Sequence, residues 1–277
     1  MQQIKLKVHP EKESRDKIFG CISAGGFLTV AEGSVRSGKT CTLLMAFAAY
    51  VVMSPETTFL LSGRTVKTAE QNCILEQYGL LNLLPGSTYG KVGESRAVKF
   101  AVKMPSGEIV QKKIVVVGAS DIRAYMQIRG NTYGGWLADE VNMHDPEFVS
   151  EAFRRTVAST DRRHYFSLNP GGPKDWIYRD YLDRYDAMDE EQRRRLGGYS
   201  WWHFTPHDNP ALTEEMIASL EIQYPKGSVF YKRYVLGLRA VAEGLVYPTF
   251  DDSCIALPPE DVKVRYASID FGTVHPT

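Results

Sequence analysis

The segment from Gly33 to Thr40 has the residue types and spacing of a loop that binds phosphate. It reads Gly-Ser-Val-Arg-Ser-Gly-Lys-Thr and matches the pattern Gly-x4-Gly-Lys-[Ser/Thr] without departure. Glycines let successive backbone N–H groups turn toward a polyphosphate, Lys39 can neutralise its β- and γ-phosphates, and the Thr40 hydroxyl can bind Mg²⁺. We therefore predict a site for ATP with Mg²⁺. The predicted nucleotide-binding residues are Gly33, Ser34, Val35, Arg36, Ser37, Gly38, Lys39, Thr40 and Cys41, of which Thr40 is also a metal ligand.

Two adjacent carboxylates, Asp139 and Glu140, end a predicted strand and are the second candidate part of a hydrolytic site. A phosphate loop of this kind works with an acid that holds Mg²⁺, and hydrolysis also needs a base for the attacking water. We assign Asp139 to the metal and Glu140 to the water as the catalytic base. Gly134 and Gly135 interrupt the apolar run that usually precedes such a pair. A solvated turn is the alternative interpretation.

Arg36 and Asn169 are two further candidate catalytic residues. Arg36 lies within the phosphate loop, where a cation could sense or stabilise the charge that develops on the γ-phosphate. Asn169 begins the segment Asn-Pro-Gly-Gly-Pro after a predicted strand. Because the carboxyl ends of parallel strands face the nucleotide, Asn169 could contact the γ-phosphate or its water. The alternatives are a solvated loop cation for Arg36 and a plain Pro/Gly loop for Asn169.

Strands alternate with helices along most of the chain, a pattern typical of a mostly parallel α/β sheet. The predicted strands are 27–31, 58–61, 133–138, 164–168 and 199–204, with a β-hairpin in 87–118 that turns at 105–107. The predicted helices are 11–21, 41–53, 65–78, 146–157, 174–195 and 213–224. We therefore predict an α/β fold of the P-loop type, in which helices flank the sheet and an additional strand accompanies the two motif strands.

Composition restricts the class of protein and its compartment. The 277 residues carry 33 Lys+Arg and 33 Asp+Glu, so any contact with DNA must come from local patches rather than net charge. The longest apolar run, Leu43 to Met53, is too short to span a bilayer, and the first residues lack the core of a signal peptide. The cysteines lie far apart, which favours a reducing cytosol: Cys21, Cys41, Cys73 and Cys254. We expect no membrane association.

Several motifs together resemble the large terminase subunit of tailed bacteriophages. Their order and spacing carry the resemblance, because each downstream motif is modest alone. The matching segments are Gly33–Thr40 (Walker A), Ile128–Val141 (the lead-in to Walker B), Ser167–Trp176 (the coupling motif), Asp208–Leu212, Gly237–Phe250 and Ser268–Gly272.

The resemblance implies an ATPase motor that packages double-stranded DNA into procapsids in the host cytoplasm. Such a motor assembles as a ring on the portal protein and works with a small terminase subunit. It also implies the domains: a P-loop ATPase domain in 1–240, a linker in 241–262, and in 263–277 the first strand of an RNase H-like nuclease domain. Asp270 would be the first carboxylate of that nuclease's Mg²⁺ or Mn²⁺ site. Since one carboxylate does not hold two metals, we expect no nuclease activity from this chain.

Two other functions compete with the packaging motor. One is a helicase-like or recombination ATPase with the same phosphate machinery; Asn169-Pro170 and the segment Glu243–Phe250 favour the terminase over it. The other is a nucleotide-gated module that binds portal or DNA with little turnover. Glu140 distinguishes the packaging motor from such a module, because a nucleotide-gated switch has less need of a base beside the metal-binding acid. His203 and His207 have a metal-site spacing without a complete ligand set, so we interpret them as structural.

Overall fold

A computed structural model describes residues 12–93 and 95–241. Within these residues one eight-stranded sheet has the order β3-β4-β5-β2-β6-β7-β1-β8. The strands are β1 Leu28–Gly33, β2 Thr58–Gly63, β3 Thr88–Val92, β4 Ser95–Lys103, β5 Ile109–Gly118, β6 Gly135–Ala138, β7 Arg163–Leu168 and β8 Tyr199–Phe204. Strands β5, β2, β6, β7, β1 and β8 pair in parallel, and β3, β4 and β5 pair antiparallel.

Helices pack on both faces of this sheet. They are α1 Lys12–Ser23, α2 Lys39–Met53, α3 Val66–Ala69, α4 Leu80–Leu83, α5 Pro146–Arg155, α6 Asp183–Asp186, α7 Glu190–Leu196, α8 Glu214–Gln223 and α9 Val229–Tyr234. Two π-helical turns, Glu70–Ile74 and Tyr178–Leu182, and three 3₁₀ turns, Ala124–Gln127, Val141–Met143 and Pro206–Asp208, complete the described elements. None of the helices in these ranges is long and apolar enough to cross a membrane.

The predicted α/β fold with a mostly parallel sheet is confirmed. Strand β7 lies between β1, which precedes the phosphate loop, and β6, which precedes the acidic pair, so the additional strand is present as predicted. The hairpin turns at the predicted place between β4 and β5, but a third strand, β3, extends it at the sheet edge.

Two long predicted helices are interrupted, and side-chain capping explains where the second restarts. The helix predicted over 65–78 becomes α3 and a π-turn that ends at Ile74. The charged helix predicted over 174–195 divides into a π-turn, α6 and α7. The Asp189 carboxylate accepts the Gln192 N–H, and the Gln192 side chain accepts the Asp189 N–H. This capping box begins a new helix inside a region whose charge pattern is continuous.

The core has one layer on each side of the sheet, and helix α2 fills the centre of the first. Phe47 of α2 is fully buried there, whereas Trp136 and Phe148 are fully buried in the opposite layer. The buried Lys112 of β5 donates hydrogen bonds to the carbonyls of Val51 and Ser54 at the carboxyl end of α2. A cation at that end satisfies free carbonyl groups and complements the helix dipole. The helix that begins at the phosphate loop is therefore held in place at its far end.

Candidate active site

The phosphate loop joins β1 to α2 through a tight backbone path. Gly33 lies against β8 so closely that a Cβ atom there would be 2.0 Å from the Phe204 carbonyl oxygen, so only glycine fits. Gly38, which precedes the first residue of α2, has φ +83°. Arg36 has φ +60°, a conformation that strains a non-glycine residue. The loop therefore stores backbone strain at the position where we predict phosphate contact.

Lys39 is buried at the start of α2, and its ammonium group points back across the loop. Its Nζ donates to the Ser34 carbonyl at 2.9 Å and to Asn169 Oδ1 at 2.7 Å. Burial lowers the pKa of Lys39 to about 8, although the charges of Asp139 and Glu140 act in the opposite direction. We call residues 169–173 the Asn169 loop. Lys39 and the first residue of this loop, 130 positions apart in the sequence, are thus in direct contact.

Asp139 follows the last residue of β6 and collects three side-chain donors. Its Oδ1 accepts from the Thr40 hydroxyl at 2.9 Å and from the Ser167 hydroxyl at 2.6 Å, and its Oδ2 accepts from Asn72 Nδ2 at 3.0 Å. A carboxylate beside a threonine hydroxyl supplies the hard oxygen donors that Mg²⁺ prefers. The two predicted metal ligands, Thr40 and Asp139, therefore fit the ion.

Glu140 turns its carboxylate toward the same cleft from a strained backbone. Its φ is +55°, and its N–H donates to Ser167 Oγ at 2.9 Å. The only hydrogen bond to its carboxylate among the described residues is a long one, from Asn169 Nδ2 at 3.4 Å. Burial and then the neighbouring Asp139 raise the pKa of Glu140, while Lys39 and Arg64 oppose the rise. A carboxylate with so few donors is free to accept a proton from a ligand.

A cavity of about 390 Å³ opens above these groups. Its lining residues are Val35, Arg36, Ser37, Gly38, Lys39, Thr40, Cys41, Asn72, Glu76, Glu140, Asn169 and Asn209. Of the predicted nucleotide-binding residues, Gly33 and Ser34 are absent from this lining, because Gly33 packs on β8 and Ser34 is buried. Asp270 lies outside the described residues, as does the predicted strand in 263–277.

Four residues that were not predicted from the sequence either line this cleft or position the residues that do. Asn209 Nδ2 donates to the Arg36 carbonyl at 2.6 Å, and Ser167 holds both Asp139 and the Glu140 backbone. Both lie in motifs that carried the family resemblance, which was the available signal. Asn72 and Glu76 follow β2, and no pattern in the sequence distinguishes them.

His203 does not take part in a metal site within the described ranges, where no cluster of three metal-ligating side chains occurs. Its Nε2 lies 3.0 Å from the Leu236 carbonyl oxygen and 3.1 Å from that of Gly237. Its contacts are therefore structural.

The strand order and the loop between β1 and α2 define the class of this protein, a P-loop nucleoside triphosphatase fold with an additional strand. Residues 30–252 match the family described as terminase large subunit, T4likevirus-type, N-terminal. The chain belongs to this family, and the predicted resemblance is confirmed. A comparison with curated protein sequences finds no match.

Solved structures of phage terminases share the fold. The large terminase of a thermophilic bacteriophage in complex with ADP is 25% identical, with a TM-score of 0.67, and the match covers 95% of this chain and 62% of that one. The complex of the same terminase with ATP-gamma-S is 24% identical, with a TM-score of 0.64, over 94% and 61% of the two chains. The ATPase domain of the Thermus phage P74-26 large terminase is 16% identical, with a TM-score of 0.53, over 79% and 90%. This chain thus spans about three-fifths of the thermophilic-phage terminase.

Proposed function

We propose that this protein is the ATP-hydrolysing motor of viral DNA packaging, which translocates double-stranded DNA into a procapsid. One observation carries the proposal. In a chain of the terminase family, Lys39, Glu140 and Asn169 line one cleft at the carboxyl edge of the sheet. Buried Asp139 accepts a hydrogen bond from Thr40, which also lines that cleft. The complexes of the thermophilic-phage terminase with ADP and ATP-gamma-S support ATP as the nucleotide.

The contacts in the cleft suggest a role for each predicted residue. Lys39 would neutralise the β- and γ-phosphates, and Thr40 with Asp139 would hold Mg²⁺. When bound, Mg²⁺ supplies positive charge that polarises the phosphate oxygens. Glu140 would accept the proton of the attacking water. The main-chain N–H groups of residues 35–41 would line the phosphates, and Arg36 would stabilise charge on the γ-phosphate.

Asn169 contacts both the phosphate-binding lysine, Lys39, and the proposed catalytic base, Glu140. Its Oδ1 accepts from Lys39 and its Nδ2 donates to Glu140, so a γ-phosphate that attracts Lys39 would compete for the first of these contacts. We propose that the Asn169 loop changes position with the state of the nucleotide, which gives the motif its coupling role. A binding module with little turnover is the second candidate, but the nearly unpartnered Glu140 carboxylate favours hydrolysis.

The remaining features of the motor are proposed from the family. The chain would form a homo-oligomeric ring at the portal, with the small terminase subunit, in the host cytoplasm. Residues 1–240 would be the ATPase domain, 241–262 a linker, and 263–277 the first strand of an RNase H-like domain that includes Asp270 and uses Mg²⁺ or Mn²⁺.

Three lysines on one face of the antiparallel strands support contact with duplex DNA. Lys99 of β4 lies directly opposite Lys113 of β5, and Lys103 lies further along the same face of β4. Like charges directly opposite each other destabilise a sheet. None of the three forms an ion pair among the described residues. Because neither β4 nor β5 is an edge strand, edge protection does not explain these charges, whereas a polyanion would neutralise them.

The test is ATP hydrolysis by the purified chain, measured over a wide range of protein concentrations with and without duplex DNA. We expect weak basal turnover with a specific activity that rises with concentration, because ring motors complete their sites with a cation from a neighbour. A constant specific activity would contradict the shared site and favour Arg36 acting in its own subunit. Absence of hydrolysis under all conditions, with ATP bound, would favour the binding module.

A further inference from the structure

Glu32, the residue before the phosphate loop, is a buried carboxylate at the centre of a polar cluster. Its side chain is 1% exposed. It accepts the Tyr178 hydroxyl at 2.6 Å, Trp201 Nε1 at 2.9 Å, and the Arg239 guanidinium at 3.1–3.4 Å. We call Glu32, Tyr178, Trp201 and Arg239 the Glu32 cluster. Burying a charge is costly even when it is paired, so such a group calls for a reason other than stability.

The Glu32 cluster is connected to the Asn169 loop. The Gly171 N–H donates to the Tyr178 oxygen at 3.2 Å, while the hydroxyl of Tyr178 donates to Glu32. Arg239 lies 3.8 Å from the centre of the Tyr178 ring and also binds Asp183 at 2.8 Å. The Asn169 loop therefore contacts Lys39 through Asn169 and the Glu32 cluster through Gly171.

The segment Gly237–Ala240 joins the same assembly from the far end of the described chain. The Ala240 N–H donates to the Gly171 carbonyl at 3.2 Å. Gly237 has φ +65°, and a Cβ atom there would lie 2.7 Å from the Ser34 nitrogen and 3.0 Å from Gly33 Cα. The segment therefore packs directly on the first two residues of the phosphate loop.

We propose that Glu32 is a positioning residue, which holds the Asn169 loop and the segment Gly237–Ala240 in one arrangement with the phosphate loop, so that the nucleotide state is transmitted to that segment. The proposal rests on the ATP hydrolysis proposed above. Through Tyr178, Glu32 sets the position of Gly171, and hence of Asn169 against Lys39 and Glu140. Through Arg239, the same carboxylate holds the segment.

Glu151 provides a matched control for a purely structural role. Its carboxylate is also buried, at 4% side-chain exposure, and binds two arginines, Arg154 and Arg155, within helix α5. Neither its partners nor its helix contact the phosphate loop or the Asn169 loop in the hydrogen bonds of the described residues. Loss of charge at Glu151 therefore perturbs a buried carboxylate and its two arginine partners without touching the cleft.

The first experiment separates nucleotide binding from turnover in the full chain. For Glu32→Gln we expect kcat to fall roughly tenfold while the Kd for ATP-gamma-S changes less than about threefold, because a displaced positioning loop affects the reacting geometry more than phosphate binding. Tyr178→Phe, which removes one hydroxyl, should lower kcat in the same direction, and Glu151→Gln should leave it unchanged. Equal losses of kcat in Glu32→Gln and Glu151→Gln, or an unchanged kcat in both Glu32→Gln and Tyr178→Phe, would overturn the proposal.

The second experiment follows hydrogen exchange of the Ala240 amide with ATP-gamma-S, with ADP and without nucleotide. In the wild type we expect different protection in the three states, and in Tyr178→Phe a difference at least about threefold smaller. Identical protection in a wild type that hydrolyses ATP would overturn the connection while leaving the proposed ATPase intact. A wild type that neither binds nor hydrolyses ATP would instead refute the proposed function.

Discussion

The cleft and the Glu32 cluster each place a glutamate near the phosphate loop, yet the two carboxylates have opposite surroundings. Glu32 lies in an extended strand and accepts hydrogen bonds from three side chains. Glu140 has a left-handed backbone and one long contact from Asn169. Cavities of similar volume, about 330 and 390 Å³, adjoin the two groups. Among the described residues, Glu32 thus accepts several hydrogen bonds, whereas Glu140 accepts almost none.

This difference indicates how the protein divides its polar groups between holding and reacting. A fully hydrogen-bonded carboxylate fixes its neighbours but has no capacity left for a ligand. A carboxylate with a raised pKa and few donors is less stable as an anion in the free protein and better suited to accept a proton. Five predictions can break or sharpen this distinction.

Removal of Lys39, the buried cation of the cleft, should have the largest effect. For Lys39→Ala we expect hydrolysis to fall roughly 1,000-fold or more and nucleotide binding to weaken strongly, because the β- and γ-phosphates lose their counter-charge. Turnover and the Kd for ATP-gamma-S are the measurements. Lys112→Met removes a second buried lysine, which lies at the far end of α2, and should retain turnover. Near-normal activity of a folded Lys39→Ala variant would refute the phosphate-loop assignment.

Neutralising Glu140, the carboxylate with few hydrogen-bond donors, should have the next largest effect. Glu140→Gln is expected to slow hydrolysis roughly 100-fold while ATP and Mg²⁺ still bind, since only the base is lost. Asp139→Asn should instead raise the Mg²⁺ concentration needed for binding, because a metal ligand is weakened. Single-turnover rates and Mg²⁺ titrations distinguish the two. If both variants failed to bind nucleotide, the division of roles between the two acids would be wrong.

The same chemical change should affect stability differently in the two places. Glu32→Gln should lower the free energy of unfolding by about 2 kcal/mol, roughly 30-fold in the folding equilibrium, because Arg239 loses its buried partner. Glu140→Gln should leave that free energy unchanged or raise it by up to about 1 kcal/mol, because burial and Asp139 already disfavour the charge. Urea denaturation measures both. A larger loss in Glu140→Gln than in Glu32→Gln would contradict the comparison.

The cleft should also titrate at accessible pH, through Lys39 and Glu140. A lysine with its pKa lowered to about 8 is cationic below that pH, so ATP affinity of the free enzyme should fall as pH rises, by roughly tenfold per unit above it. Turnover should fall on acidification at a higher pH than an ordinary glutamate predicts, since the pKa of Glu140 is raised and the base must be ionised. In the Glu32 cluster, burial disfavours the charge of Arg239, but the hydrogen bonds that Arg239 donates to Glu32 raise the pKa of Arg239 above its usual value. Affinity that stays constant across the alkaline range would count against the buried cationic lysine.

The smallest effect is expected away from both places, on the lysine face. Lys99→Gln with Lys113→Gln should weaken duplex binding a few-fold and reduce the salt slope by about 1.8, at about 0.9 for each phosphate that is no longer neutralised. Lys226→Gln, an exposed lysine between α8 and α9, removes a single charge elsewhere and should leave the slope unchanged. Sequence-specific binding that is insensitive to salt would argue against a translocating motor altogether.

Local pattern in the sequence was enough to predict the phosphate loop, most strands and the family. The spacing of Gly33, Gly38 and Lys39 and the apolar runs beside them are short-range features, because the loop and the helix that follows are built from adjacent residues. The start of the helix predicted over 213–224 is equally local, since the Thr213 hydroxyl caps α8 by accepting the N–H of Met216, three residues away. The prediction of one long charged helix over 174–195 was wrong, because a capping box at Asp189 begins a new helix within a continuous charge pattern.

Only the tertiary structure decided which of these segments meet. The position of β7 between β1 and β6 brings Asn169 to Lys39 across 130 residues and Ser167 to Asp139 across 28. The contact between Glu32 and Arg239 spans 207 residues, and neither residue belongs to a recognisable pair in the sequence. Such contacts depend on strand order and on backbone conformations such as the positive φ of Glu140. Periodicity and spacing encode neither, because they act over a few residues, whereas the sheet assembles the site from the whole chain.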